Sequence, residues 1–233
     1  MRELASTGDE ASLFSVLRWE STGVRLMMVM AVDGSVTDRS GWTSGLGGTA
    51  DQEIIRTQRA MADAILVGAG SMRTGRYPPH RPSGEYALYR ERHGLAQAAP
   101  LVVASRTADL DFTAPAFAGA RVPTILLTDL EGARRVPMEA EVEVVIADGL
   151  SAGMTVLRTR YGLGRVLCEG GPGLASALFA ESLVDEVHLT LAPRLEGADL
   201  RSLVRGLPAP VDLELRSVHE AGGNLLLRYI VRR

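Results

Sequence analysis

The chain has 233 residues, 46% of them hydrophobic, and a formal net charge of −3; it can bury a sizeable core, and nothing in its charge calls for nucleic acid or an anionic membrane as a partner. Every cationic residue is arginine, which excludes a Schiff-base lysine and a Walker-type phosphate loop with its lysine. Cys168 is the sole cysteine and His80, His93, His188 and His219 lack metal-ligand spacing, so neither an intrachain disulfide nor a cysteine-cluster zinc or histidine metal site is expected, and no metal is assigned.

The first segment, "MRELASTGDEASLFSVLRWESTG", has no basic stretch followed by an apolar one. No apolar run approaches the roughly 20 residues of a membrane helix, and a cytoplasmic protein is expected. Residues 1–22 read as an extension, partly disordered or capping, ahead of a single domain over 23–233. "VRLMMVMAV" (24–32) is a strand buried on both faces, with Met27, Met28 and Met30 as core, ending at the turn signal Asp33-Gly34. Thr49 is placed to cap an amphipathic helix over 51–62, and a second buried strand runs over 64–67.

Residues 70–100 form a long segment rich in proline and arginine, the kind of loop that is functional or disordered. Beyond it, "LVVAS", "PTILLT", "VEVVI" and "RVLCE" are strands, with helices near 130–134, 151–161 and 173–180. The alternation predicts an α/β fold with a mostly parallel sheet flanked by helices. "DEVHLTLAP", "DLELRSVHEA" and "NLLLRYIVR" add three strands, the last two joined by Gly-Gly as a C-terminal antiparallel hairpin, which makes the sheet mixed. His188 alternates with apolar residues and reads as a strand-face residue; Asp185-Glu186 reads as a solvated edge or capping pair.

The chemistry-bearing stretch is "RVLCEGGPGLASAL". Gly170, Gly171 and Gly173 permit a tight elbow, Pro172 suits the first helical position, and the amides from Gly173 through Leu174 and Ala175 to Ser176 would face an anion at the helix start. A steric elbow without ligand is the alternative. A second glycine pair, Gly68 and Gly70 in "LVGAGSMRTG", also follows a strand, but Arg73 stands where a dinucleotide fingerprint needs its third glycine. Ser105 and Arg106, at the end of another strand, pair a hydroxyl with a guanidinium and could receive a phosphomonoester; a solvated loop arginine is the alternative. Asp33 is a turn carboxylate first and a proton-moving group second, whereas Glu169, among glycines, has no evident structural partner. Ser/His/Asp order with an elbow is absent, so hydrolysis has little support.

Taken in order, "MVMAVDGSVT", "RAMADAILVGAGSMRTGRYPP", "LVVASRTADLDF" and "CEGGPGLASALFAESLVDEVHLTLAPRLEG" resemble the C-terminal reductase domain of the bifunctional riboflavin-biosynthesis deaminase/reductase family, whose fold is dihydrofolate-reductase-like. The likeness runs from about residue 24 to the end, and the E-G-G-P-x-L block is its specific part. It implies an NADPH-dependent, homodimeric reductase that converts the ribosyl group of a phosphorylated ribosylaminopyrimidine, 5-amino-6-(5-phosphoribosylamino)uracil, to ribityl. Gly171 to Ala177 would contact the cofactor pyrophosphate, Met30 the nicotinamide, Ser71 the cofactor again, and Ser105 with Arg106 the 2′-phosphate, favouring NADPH over NADH. Arg59, Glu169 and Thr43 would bind substrate.

Two departures stand out. The zinc motifs H-x-E and P-C-x-x-C of the deaminase half are missing, so this chain would catalyse at most the reduction. The family's substrate loop, D-D-P-x-L-T-x-R, is here "TGRYPPHR", with glycine and arginine at the acidic pair and Arg81 as the basic substrate residue. A dihydrofolate or other pterin or imine reductase, and a non-catalytic NADPH-binding module, are the competing readings. Imine reduction needs a hydride and one proton, which water ordered by Asp33 or Glu169 could supply.

Overall fold

The computed structural model describes residues 12–43, 45–74, 77–197 and 202–233. Its strands are β1 (Gly23–Ala31), β2 (Ala64–Gly68), β3 (Leu101–Ala104), β4 (Thr124–Thr128), β5 (Val142–Ile146), β6 (Arg165–Cys168), β7 (Glu186–Ala192), β8 (Leu213–Ala221) and β9 (Asn224–Val231). They form one nine-stranded sheet in the order β5-β4-β3-β2-β6-β1-β7-β9-β8, parallel from β5 through β7 and antiparallel through β9 and β8. This is the mixed sheet with a closing hairpin read from the sequence. The hairpin turns at Gly222 and Gly223, both with positive φ, as a two-residue turn requires.

β1 lies between β6 and β7, which is why its apolar run is continuous. Val24, Leu26 and Met28 face a core completed by α6 (Gly149–Tyr161) and α7 (Pro172–Ala180). On the other face Met27 packs with Ile54 and Met61 of α2 (Gly48–Met61) and with Leu17, just after α1 (Leu13–Val16). Each such aliphatic side chain contributes about 1.5–3 kcal/mol by leaving water. Cys168 lies at the centre of the sheet, wholly buried, and burial pushes its thiol up to about 12.

Three expectations are corrected. Thr49 does not cap α2: the helix opens at Gly47, whose carbonyl accepts the Asn224 side-chain amide, so a contact from β9 sets its start. The segment 70–100 is not a bare loop, since it carries α3 (Ala69–Thr74) and α4 (Glu85–Arg92). Arg90 of α4 is buried and donates to the carbonyls of Ala60, Ala62 and Ala96, a tertiary clamp that local patterning does not reveal.

Glu186 is not solvated. It accepts from Arg25, His188 and Arg228, while Asp185 accepts the Val24 amide and pairs with Arg233. Arg25, 0% exposed, also donates to the Leu17 carbonyl and to Gln58, and sits 4.1 Å from the Trp19 ring centroid. These bonds tie the described part of the N-terminal extension to the sheet. Residues 1–11 of that extension lie outside the described residues.

Candidate active site

The carboxyl ends of the parallel strands open onto a cleft of about 850 Å³, within the range of ligand sites. Gly68, Gly70 and Ser71 after β2, Ser105 and Arg106 after β3, Thr128 and Asp129 at β4, and Asp148 and Gly149 after β5 line it, with the start of α7 along one side. Gly170 has φ +76 and lies against Met28, where a Cβ would fall 2.6 Å from the sulfur, so only glycine fits the turn into α7. The Gly171 amide donates to Ser71 Oγ at 3.0 Å, joining the two glycine-rich segments. Gly173 has open space in front of it, and among the described residues nothing accepts the amides of Gly173 and Leu174. The Ser105 hydroxyl is buried without a partner at the cleft.

Thr37, Gly41, Thr43, Ser71, Gly171 and Pro172 also line a second, smaller cavity of about 340 Å³, so the two spaces adjoin across a shared wall. Glu169, Asp51, Tyr77, Met28 and Trp42 complete its wall. Arg59, near the end of α2, meets Glu169 through two bonds, Nε to Oε1 at 2.6 Å and Nη2 to Oε2 at 2.7 Å. Nη2 also donates to the Tyr77 hydroxyl at 3.0 Å. Burial opposes the Arg59 charge, but Glu169 outweighs it and raises the pKa, so the guanidinium stays protonated. Glu169 therefore has the structural partner that the sequence did not show. The two residues assigned to substrate are partners of one another.

Other sequence assignments fall elsewhere. Asp33 lines neither cavity: its carboxylate accepts the amides of Ser35, Glu196 and Gly197, which hold it below the ordinary carboxylate range. This is the turn role, and it leaves no place for the proposed catalytic part. Arg81 is exposed and donates to the Gly119 carbonyl, away from both cavities. Met30 is on β1 but lines neither space; Met28, one turn of the pleat earlier, does. Ala175 points into the core, and the Ser176 hydroxyl bonds the Pro172 carbonyl and the Arg205 amide, so of α7 it is Pro172, Gly173, Leu174 and Ala177 that border the cleft. Gly75 and Arg76, where the substrate loop departs from the family pattern, lie outside the described residues.

The sequence reading missed Asp51, Tyr77 and Trp42. Tyr77 sits inside the quoted "TGRYPPHR", and its ring lies 5.4 Å from the Arg59 guanidinium, a pairing visible only once the chain folds. Asp51 carried a signal, an acid on the inward stripe of an amphipathic helix, that the sequence reading passed over.

The RibD C-terminal domain profile matches residues 22–227. The chain belongs to that family. It is 28% identical over 223 residues, covering 90% of this chain and 98% of the relative, to the 2,5-diamino-6-ribosylamino-4(3H)-pyrimidinone 5′-phosphate reductase of Methanothermobacter thermautotrophicus. A pyrimidine reductase-like protein from Corynebacterium diphtheriae shares its fold at a TM-score of 0.80 and 23% identity, over 91% of this chain and 92% of that one. The Saccharomyces cerevisiae riboflavin biosynthesis reductase superposes at 0.68 with 15% identity, over 91% and 90%. As a member of this family the chain is an oxidoreductase with the dihydrofolate-reductase-like fold of these reductases. Among the described residues no helix is long and apolar enough to cross a membrane.

Proposed function

We propose that this protein is an NADPH-dependent reductase, a single domain over residues 23–233, that converts the ribosyl group of a phosphorylated ribosylaminopyrimidine to ribityl. One observation carries this reading: a long cleft with phosphate-directed donors adjoins a small cavity holding a fixed Arg59–Glu169 pair. The residues present fit a phosphorylated dinucleotide. The unpaired amides of Gly173 and Leu174 suit its pyrophosphate, and the unpartnered Ser105 hydroxyl with Arg106 suits a 2′-phosphate.

Bound there, the reduced nicotinamide supplies hydride; the chain's own residues bind, orient and exclude water. Ser71, Gly171 and Pro172 form the junction where the two spaces meet. Arg59 fixes the Glu169 carboxylate, whose remaining lone pairs can accept N–H groups from the edge of a pyrimidine ring. Thr43 and Trp42 border the open side of the small cavity.

The C-terminal strands support a homodimer. Leu189 and Leu191 of β7, Leu225, Leu227 and Tyr229 of β9, and Leu213 and Leu215 of β8 share one sheet face, and Leu213 and Leu215 are exposed. Light scattering on the purified protein measures that state.

The deciding assay follows NADPH fluorescence on adding protein, then NADPH oxidation on adding the 2,5-diamino pyrimidinone ribosyl phosphate, the uracil counterpart, or dihydrofolate. Binding with turnover of a pyrimidine to its ribityl product is expected. No NADPH binding removes the reading, and turnover of dihydrofolate alone replaces the substrate class.

A further inference from the structure

Reduction of the C=N bond in an opened ribosylamine consumes one proton for each hydride. Neither acid suggested by the sequence is placed to give it. Asp33 is held by backbone amides outside both cavities, and both oxygens of Glu169 accept guanidinium N–H groups, an arrangement for a carboxylate and not for an acid with a proton to give.

Asp51 differs. It lies in the first turn of α2, lines the small cavity together with Glu169, and is only 6% exposed. Its Oδ1 is buried without a hydrogen-bond partner, and no arginine or histidine pairs with it among the described residues. The groups around it are the Thr190 hydroxyl from β7, which hydrogen-bonds the carboxyl, Glu169 with its partner Arg59, and Tyr77 on the cavity wall. An unpaired buried carboxylate is costly, and the same group carrying a proton is not. Burial first, and then the charge of Glu169, raise the Asp51 pKa against the opposing Thr190 bond.

We propose that Asp51 is the acid of the reduction, giving the proton on its carboxyl to the substrate nitrogen as hydride reaches the adjoining carbon. The new C–H bond takes the hydride, the π pair of C=N stays on nitrogen, and that nitrogen takes the proton as the Asp51 O–H bond breaks. The nicotinamide is oxidised, the imine is reduced, and Asp51 recovers its proton from solvent through the cavity mouth. This inference rests on the imine-reductase reading above.

Two measurements on the full chain test it, using Asp51→Asn, which keeps the shape and removes the acid. The first is the infrared difference between wild type and variant, titrated without cofactor. A protonated-carboxyl band persisting above the ~3.9 of a free aspartic acid is expected, and ionisation at that ordinary value overturns the proposal. The second is steady-state kinetics, where kcat should fall roughly 10²- to 10⁴-fold with the NADPH dissociation constant within about twofold of wild type. Retained turnover, or a loss confined to KM, overturns it. Should the wild type reduce no pyrimidine, the functional reading fails by itself and the infrared titration still decides whether Asp51 holds a proton. If Asp51→Asn folds poorly, Asp51→Ser removes the acid in a smaller side chain and takes its place in both measurements.

Discussion

One face of α2 lies along β7, and its two ends make opposite kinds of polar contact. At the Gln58 end the amide oxygen accepts from Arg25 at 2.6 Å, the amide nitrogen meets His188 Nδ1 at 2.7 Å, and His188 Nε2 meets Glu186 at 3.1 Å. That chain fixes the neutral Nε2–H tautomer of His188, and none of the polar atoms of Arg25, Gln58, His188 and Glu186 is buried without a partner. At the Asp51 end, two turns away, an oxygen is left over beside a cavity. A closed polar network fixes a structure, whereas an open one bordering a cavity is available for chemistry.

The largest expected effect breaks the closed end. Arg25→Met takes the buried cation from Glu186, which keeps Arg228 and His188, leaves the Gln58 amide oxygen without its donor, and should cost about 3–5 kcal/mol in denaturant unfolding, with NADPH affinity of the folded protein unchanged. A loss in binding equal to that in stability would make the two ends one unit.

Acid should attack the same end. Burial lowers the pKa of His188 to about 4 and that of His80 to about 3, so the unfolded chain takes up protons near pH 6.5 that the folded chain refuses. Their contribution is full above that value and is lost as pH falls towards 4. Burial pushes Glu186 up, but the His188 hydrogen bond and the Arg25 charge outweigh it and bring it to about 2, so its contribution is lost only below its ordinary value of 4.5. The melting temperature should drop on the order of 10 °C between pH 7 and pH 4. A flat profile would mean the histidines titrate alike in the folded and unfolded chains.

The open end gives smaller, chemical effects. Glu169→Gln weakens the pairing with Arg59 and removes a charged acceptor, worth about 1.5–3 kcal/mol, so kcat/KM should fall ten- to a hundredfold with NADPH binding retained. Loss of NADPH binding at unchanged melting temperature would instead put Glu169 in the cofactor site. Smallest is Arg106→Ala at the far end of the long cleft, where an exposed guanidinium should be worth roughly tenfold in NADPH affinity, about 1.4 kcal/mol, and nothing in NADH affinity. Equal losses for both cofactors would assign Arg106 to the fold.

The sheet was legible because its strands are apolar runs whose burial is set by position: β1, β2 and β4 are enclosed, and their sequences say so. The elbow into α7 was legible for a local reason too, since glycines and a first-turn proline act within their own segment. What escaped depends on distant partners. α4 has a weak apolar stripe and stands on Arg90 reaching back to the end of α2. Glu169 and Arg59 are 110 residues apart, and Glu186 owes its burial to arginines on β1 and β9. Asp33 was read both ways, and the amides that occupy it arrive from residues 196 and 197.

Cys168, sealed in the middle strands with its thiol pushed up to about 12, makes the chain its own folding gauge. With no lysine side chain and one inaccessible thiol, the native fold presents no internal amine or thiol to labelling reagents. A maleimide can reach that sulfur only when β6 parts from its neighbours, so the labelling rate reads the frequency with which the sheet opens at its centre. The same silence suits probe attachment: a single cysteine introduced on the surface would be the one side chain such a reagent modifies in the folded protein.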